Sequence, residues 1–256
     1  MMKEIVIVGY PKSGTTWISR LVAELVGCPV TGFLGSDHKE IAQEGPERES
    51  EFQCLKSHHQ LHELEQMDLE SKKIIYVMRD PRDICLSGTR YFRFHKWARV
   101  GMWFDNLPKS IRSIYRLLNR TMISDSFKLE RMSHAVLYGA EDVHHWVRVP
   151  WSAHCQPYVD AQHFILRYED LLSNPEAQCK RVVEYLGIER SESHLCDAIE
   201  KQSFANKKKE FAKSGKRSKA KFLRKGKKEQ WKAAFSPVLK QSFESKIGRQ
   251  MKQHGY

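Results

Sequence analysis

One short stretch of the chain combines the residue types that bind phosphate groups. Within residues 10–17 it offers a cation, three aliphatic hydroxyls and a glycine: Lys12, Ser13, Thr15, Thr16 and Gly14. The N-terminus of a following helix would add unpaired N–H groups and the positive end of a dipole, and both favour an anion. This combination predicts a loop that binds a phosphate or a group of similar charge.

The residues on either side of this loop predict the elements that must position it. An apolar run over 5–8 is typical of a buried strand, and apolar residues recur at helical spacing over 18–26. We therefore expect a strand, a tight turn and a helix. Thr15 and Thr16 are candidates to cap that helix, and Gly14 allows backbone N–H groups to face the anion.

The glycine spacing also matches the phosphate loop of nucleotide triphosphatases. That motif has a lysine directly after its second glycine, where this chain has Thr15. Its lysine, Lys12, instead precedes Gly14 by two residues, and the next clear strand ends in Arg79 rather than in a magnesium-binding aspartate. An ATP-dependent small-molecule kinase is therefore an alternative, but the chain lacks the motif lysine and the magnesium-binding aspartate that such an enzyme would use. A glycine-rich turn without a ligand is the other alternative.

Two further predicted strands end in side chains that could do chemistry. The stretch 52–58 reads as a short strand that ends in Lys56 and His58, and the buried run 74–79 ends in Arg79. Open α/β sheets bind ligands at the carboxyl ends of their strands. A neutral imidazole can take a proton from a hydroxyl at neutral pH, which makes His58 a candidate general base. A surface histidine is the alternative.

The loop sequence YPKSGTTW resembles the 5′-phosphosulfate loop of the cytosolic sulfotransferases. These enzymes transfer a sulfuryl group from 3′-phosphoadenosine 5′-phosphosulfate (PAPS) to an acceptor and release adenosine 3′,5′-bisphosphate (PAP). The run Lys-Ser-His at 56–58 is similar to the family's Lys-Thr-His motif, whose histidine is the catalytic base. Arg79 and Ser87 resemble its 3′-phosphate element. An arginine that only pairs with Asp83 is the alternative for Arg79.

Three later stretches extend the resemblance. The stretch 163–168 reads as another buried strand, which ends at Tyr168. The run RYEDLLSNP is similar to the YED motif, whose tyrosine lies near the adenine, while a core tyrosine is the alternative. Ser203 and Phe204 resemble residues that contact the adenine. The run Arg-Lys-Gly at 224–226 resembles the RKG signature that clamps the 3′-phosphate. The matches cover roughly two-thirds of the chain in the family's order.

The resemblance implies a single domain over residues 1–256, an α/β fold with a doubly wound parallel sheet flanked by helices. It implies a PAPS-dependent sulfotransferase without a metal, acting on a hydroxyl or amine of a small molecule. His58 would be the base, Lys12 and Lys56 would stabilise developing charge, and Ser87 would restrain Lys12 until the acceptor binds. The implied PAPS-binding residues are Lys12, Ser13, Gly14, Thr15, Thr16, Trp17, Arg79, Ser87, Tyr168, Ser203, Phe204, Arg224, Lys225 and Gly226.

Two stretches depart from the family pattern. Glu229 and Gln230 replace the usual Gly-Asp pair after the RKG signature. The dimer element appears in altered form over 232–241, where Pro237 removes a backbone donor that a paired strand would use. We therefore do not assume the family's dimer.

Charge and composition bound the remaining possibilities. The formal net charge is +12, and residues 207–228 hold twelve Lys or Arg against one acid, Glu210. A nucleic-acid-binding module is thus a third alternative, although the run lacks the regular aromatic interleaving of a stacking platform. A concentrated positive charge also suits a polyanion such as PAPS. No run reaches the roughly 18 apolar residues of a membrane span, so we expect a soluble cytoplasmic protein without membrane or nucleic-acid partners.

The acceptor is the part of the function that the sequence leaves open. Phenol, alcohol, sterol, sugar and alkaloid acceptors all agree with the motifs. The stretch 32–50 is polar and predicts a loop, within which Phe33 could face the acceptor. Helices are predicted around 107–120 and 141–155, and most of the aromatic residues between 91 and 151 are expected in the core.

Overall fold

The computed structural model describes residues 2–35, 43–69, 71–92, 94, 108, 123–213 and 228–256. The chain divides into two compact units. The first comprises Met1–Arg79 and Cys155–Glu229, and the second comprises Asp80–His154 and Gln230–Tyr256. The single domain over 1–256 stays a prediction. The helix predicted around 107–120 lies almost entirely outside the described residues.

A parallel sheet of five strands forms the centre of the first unit, in the spatial order β2-β3-β1-β4-β5. The strands are β1 (Lys3–Val8), β2 (Val30–Phe33), β3 (Phe52–Ser57), β4 (Lys72–Met78) and β5 (Phe164–Arg167). Val8 lies beside Ser57 on one side and Tyr76 on the other, so the strands end at a common edge. This sheet confirms the predicted α/β fold.

Helices flank the sheet and continue through both units. They are α1 (Thr15–Val26), α2 (Leu61–Glu65), α3 (Pro81–Gly88), α4 (Asp125–Tyr138), α5 (Trp151–Asp160), α6 (Tyr168–Ser173), α7 (Pro175–Leu186), α8 (Glu192–Lys201), α9 (Phe204–Lys213), α10 (Trp231–Ala234) and α11 (Pro237–Gln253). None of these described helices is long and apolar enough to cross a bilayer.

The core of the first unit holds the strand ends in place. Ile5, Ile7, Ile75 and Val77 are fully buried, and they belong to one cluster with residues of α1, α7 and α8 such as Ile18. Burying each aliphatic side chain contributes about 1.5 to 3 kcal/mol. The strands β1 and β4 are therefore rigid supports for the loops that follow them.

The second unit packs helices against one another. The Trp231 backbone N–H donates to Asp83 Oδ1 at 3.0 Å, and the Arg82 guanidinium lies 3.7 Å from the centre of the Trp231 ring. Pro237 is the first residue of α11, where its missing N–H leaves no intrahelical bond unmade. Residues 232–241, the altered dimer element, therefore comprise the end of α10 and the start of α11 and contain no strand.

Two predictions from the sequence were wrong in detail. Val30–Phe33 forms strand β2, although the stretch from residue 32 was expected to be a loop. The helix expected over 141–155 is a 3₁₀ turn at His145–Val147 followed by α5, because α5 begins only after Pro150. The strands predicted at 52–58, 74–79 and 163–168 are confirmed by β3, β4 and β5.

Candidate active site

The loop between β1 and α1 has the backbone geometry of an anion site. Ser13 N–H donates to the Tyr10 carbonyl at 3.0 Å, and Gly14 takes a left-handed conformation with φ of 100° as the N-terminal cap residue of α1. Lys12 also has a positive φ, 76°, which is uncommon for a residue with a side chain and is typical of functional sites. The first N–H groups of α1 lack intrahelical acceptors and are available to an anion.

The predicted capping role of Thr15 and Thr16 was wrong. Both residues lie inside the first turn of α1, because Gly14 occupies the cap position and no side chain caps this helix. The Thr16 hydroxyl instead accepts a hydrogen bond from Lys56 Nζ at 2.7 Å. This bond brings the end of β3 to the first turn of α1.

Lys56 is a buried cation beside the loop. Its residue is 9% exposed, and its ammonium lies 4.4 Å from the centre of the Phe33 ring. Burial, together with repulsion from Arg20, lowers the pKa of Lys56 to about 7. An anion bound in the loop would favour the protonated form, so the charge of Lys56 depends on what the site contains.

His58 follows β3 and is held by the strand next to it. Its Nδ1 lies 2.7 Å from the carbonyl oxygen of Gly9, and the residue is 8% exposed. Because a carbonyl only accepts, Nδ1 carries the hydrogen and Nε2 carries the lone pair. The Phe33 ring lies 5.9 Å from the imidazole, between ring centres. The bond to Gly9 therefore fixes the orientation of the ring and, in the neutral imidazole, its tautomer.

Arg79 follows β4 and contacts both the loop and an aromatic ring. One of its terminal nitrogens donates to the Lys12 carbonyl at 2.9 Å, and its guanidinium carbon lies 4.3 Å from the centre of the Tyr168 ring. Its Nε is buried and has no hydrogen-bond partner among the described residues. The Ser13 hydroxyl is also fully buried and has no hydrogen-bond partner among the described residues. Two buried polar groups that lack partners fit an anion with several oxygens.

Aromatic rings form one side of the same site. The Trp17 ring lies 4.9 Å from Phe204 and 5.6 Å from Tyr168, between ring centres. Trp17 Nε1 donates to the Gln202 carbonyl at 2.9 Å, and the neighbouring Ser203 hydroxyl accepts from Asn206 N–H at the start of α9. Such a group of rings can stack on a nucleobase.

The first unit thus brings together most of the residues predicted from the sequence. Lys12, Ser13, Gly14, Thr15, Thr16 and Trp17 lie in the loop and α1, and they are joined by Lys56, His58, Arg79, Tyr168, Ser203 and Phe204. Ser87 lies on α3 of the second unit, where it is half-buried. Arg224, Lys225 and Gly226 lie outside the described residues.

Sequence reasoning missed an ionic cluster that is centred on Glu44 and lies near Trp17. Glu44 forms ion pairs with Arg20 and Lys207 and accepts a hydrogen bond from Gln202, so the cluster joins three separate parts of the chain, around residues 20, 44 and 202–207. Residues so far apart share no motif or periodicity, so only the folded chain reveals that they meet.

Comparison with known proteins places this geometry in a family. Residues 2–255 match the model of the sulfotransferase domain. Sulfotransferase 1A1 of Bos taurus is 26% identical over 281 residues, which cover 97% of this chain and 83% of that protein. Among solved structures, mouse sulfotransferase SULT7A1 complexed with PAP matches with a TM-score of 0.65, 19% identity and coverage of 98% of this chain and 85% of that one. A retinol dehydratase in complex with androsterone and PAP matches with a TM-score of 0.62, 18% identity and coverage of 98% and 81%.

Proposed function

The chain belongs to the sulfotransferase domain family, and on that premise we propose that it transfers a sulfuryl group from PAPS to a hydroxyl or amine of a small molecule. One observation carries the proposal: Lys56 and His58, at the end of β3, form hydrogen bonds to Thr16 and Gly9, which flank the anion loop. We also propose a cytoplasmic location, on the resemblance alone.

The described residues fit the donor PAPS. The backbone of the loop, the Ser13 hydroxyl and the first turn of α1 would hold the 5′-phosphosulfate. Arg79 would bind the 3′-phosphate, because its planar group makes paired charge-assisted bonds to phosphate. By resemblance, Arg224, Lys225 and Gly226 would complete that contact. Trp17, Tyr168 and Phe204 would receive the adenine.

PAPS, when bound, supplies an activated sulfuryl group with the 5′-phosphate as leaving group. His58 Nε2 would take the proton of the acceptor as the acceptor's oxygen or nitrogen forms its bond to sulfur. Lys12 would offset the negative charge on the oxygen that separates with the 5′-phosphate. Lys56 and the loop N–H groups would stabilise the sulfuryl oxygens, an effect commonly worth a few kcal/mol for each donor.

The acceptor class in this proposal is a small molecule with an apolar body. The Phe33 ring near both Lys56 and His58 offers it an apolar wall beside the base. Ligand sites are typically apolar with a few oriented polar groups, which agrees with a ring next to a buried imidazole.

Calorimetric titration tests the proposal most directly. PAP alone is expected to bind with micromolar or tighter affinity, whereas ATP with magnesium is expected to bind far more weakly. Turnover with PAPS and a panel of phenols, alcohols, sterols and amines would then identify the acceptor. Binding of neither nucleotide, or of ATP alone, would refute a PAPS-dependent reaction.

A further inference from the structure

A buried ionic cluster lies behind the aromatic residues of the site. One carboxylate oxygen of Glu44, Oε2, lies 2.7 Å from Arg20 Nε. The other, Oε1, lies 2.7 Å from Lys207 Nζ and accepts from Gln202 Nε2 at 3.3 Å. A single side chain therefore joins α1, the start of α9 and the residue that precedes Ser203.

The partners of the Glu44 carboxylate are buried, so they rely on its negative charge for compensation of their own. Arg20 and Lys207 are only 7% and 3% exposed, so water cannot replace the charge of Glu44. Burial raises the pKa of Glu44, but the hydrogen bond from Lys207 and the charge of Arg20 outweigh it, and the pKa lies below its usual value. Removing one partner of a buried ion pair leaves an uncompensated charge, which is strongly destabilising locally.

Gln202 connects the cluster to the aromatic rings. Its side-chain amide nitrogen donates to Glu44 and to Glu24, both at 3.3 Å, and its backbone carbonyl accepts from Trp17 Nε1. Phe204, two residues later, packs against Trp17. Two carboxylates thus hold the residue whose backbone carbonyl accepts the hydrogen bond of the Trp17 indole.

The backbone of Glu44 is fixed independently. It forms an isolated antiparallel bridge with Val30, in which the two residues exchange N–H···O bonds of 2.9 and 3.1 Å. Val30 begins the edge strand β2, which also contains Phe33. The backbone of Glu44 is therefore held by the edge strand, independently of the groups that its carboxylate binds.

We propose that Glu44 is a positioning residue for nucleotide binding. By holding Lys207 and Gln202, it sets the relative position of the Trp17 and Phe204 rings, on which the adenine of PAPS would stack. Glu44 itself touches neither the phosphates nor the reacting atoms in this assignment. The inference rests on the proposed function, since it concerns the base of the same donor.

The test compares E44Q with a matched control, E210Q. Glu210 also pairs with Lys207, at 3.0 Å, but its side chain is 55% exposed, so solvent can replace it. Calorimetry measures the affinity of each protein for PAP and for ribose 3,5-bisphosphate, which lacks the base. E44Q is expected to weaken PAP binding at least tenfold and ribose 3,5-bisphosphate binding by less than twofold. E210Q is expected to change neither by more than twofold.

Steady-state kinetics with PAPS provide a second readout. E44Q is expected to raise the KM for PAPS about tenfold while kcat changes less than threefold. The substitution leaves His58 and the residues that contact the sulfuryl group intact. If E44Q does not fold, E44D retains the charge but not the reach to both cations. It is expected to weaken PAP binding three- to fivefold.

The outcomes separate this inference from the proposed function. Equal losses for PAP and ribose 3,5-bisphosphate would show a general effect on the fold and would overturn the positioning role, as would unchanged PAP affinity. Failure of the unaltered protein to bind PAP would instead refute the proposed function, on which the role of Glu44 depends.

Discussion

The Nδ1 nitrogen of His58 lies 2.7 Å from the backbone carbonyl oxygen of Gly9. Gly9 follows β1 and begins the anion loop, whereas His58 follows β3, so a bond between neighbouring strand ends orients the imidazole. The same bond fixes the tautomer that leaves the lone pair on Nε2. The imidazole and the anion loop are thus held together at one edge of the sheet.

Substitution of His58 tests its role as the base. We expect H58A to lower kcat by about 10²-fold or more and to leave the affinity for PAP unchanged, because a general base acts in the chemical step. H59Q is the matched control, since the Nδ1 of His59 lies 2.8 Å from the Ser57 hydroxyl instead. Turnover with PAPS and calorimetry with PAP measure the two effects. Full turnover by H58A would exclude His58 as the base.

Substitution of Arg79 tests the 3′-phosphate contact. We expect R79K to weaken PAP binding by about 1.5 to 3 kcal/mol, because a lysine lacks the planar fork. AMP, which has no 3′-phosphate, is expected to lose much less affinity. R82K is the control, since Arg82 makes two side-chain bonds to Asp80 at 2.8 and 2.9 Å. Equal losses for PAP and AMP would assign Arg79 to the loop backbone alone.

Much of the site could be predicted because its residues follow strands that the sequence marks clearly. Loop residues, His58, Arg79 and Tyr168 come after apolar runs, and parallel strands end at one edge of a sheet. Their convergence therefore follows from strand order alone. The prediction extended to the identity of the anion only through the family resemblance.

Other features depend on tertiary contacts that leave no local pattern. Strand β2 has four residues and includes Gly32, so its β character is weak until it pairs with β3. Thr16 is a residue type that often caps helices, yet its hydroxyl accepts a hydrogen bond from Lys56 instead. Glu44 and Lys207 are 163 residues apart in sequence, and no spacing rule connects them.

Gly14 provides a test of the loop's backbone. An added Cβ would lie 2.7 Å from Tyr168 Cδ2, and the residue has φ of 100°. We expect G14A to lose PAP affinity at least tenfold and to unfold at a lower denaturant concentration. G27A is the matched control, because Gly27 has φ of 76° but no atom within 4 Å of an added Cβ. G27A is therefore expected to lose only the free energy that alanine costs in a left-handed conformation, about 1 to 2 kcal/mol.

The comparison of G14A with G27A isolates the contact with Tyr168. Urea unfolding gives the stability of each variant, and calorimetry gives the PAP affinity. G27A is expected to bind PAP as the unaltered protein does. Similar stability and PAP affinity for G14A and G27A would mean that Tyr168 does not pack against the loop.

Lys56 predicts a dependence of stability on pH. Burial first, and the charge of Arg20 second, lower the pKa of Lys56 from its ordinary value of 10.5 to about 7 in the folded protein. Below about pH 7 both folded and unfolded chains carry the proton, so the cost of burying the charge is fully present. Between about 7 and 10.5 only the unfolded chain carries it, and the free energy of unfolding rises with pH through this group.

K56M removes this dependence because methionine has a similar length and no charge. We expect the free energy of unfolding of the unaltered protein, minus that of K56M, to be constant below about pH 6. It should rise above pH 7 by up to about 1.4 kcal/mol per pH unit. Subtraction cancels groups common to both proteins, and urea unfolding from pH 5.5 to 9 measures the difference. A difference that stays constant over this range would mean that Lys56 keeps its ordinary pKa, and its charge would then be present whether or not an anion is bound.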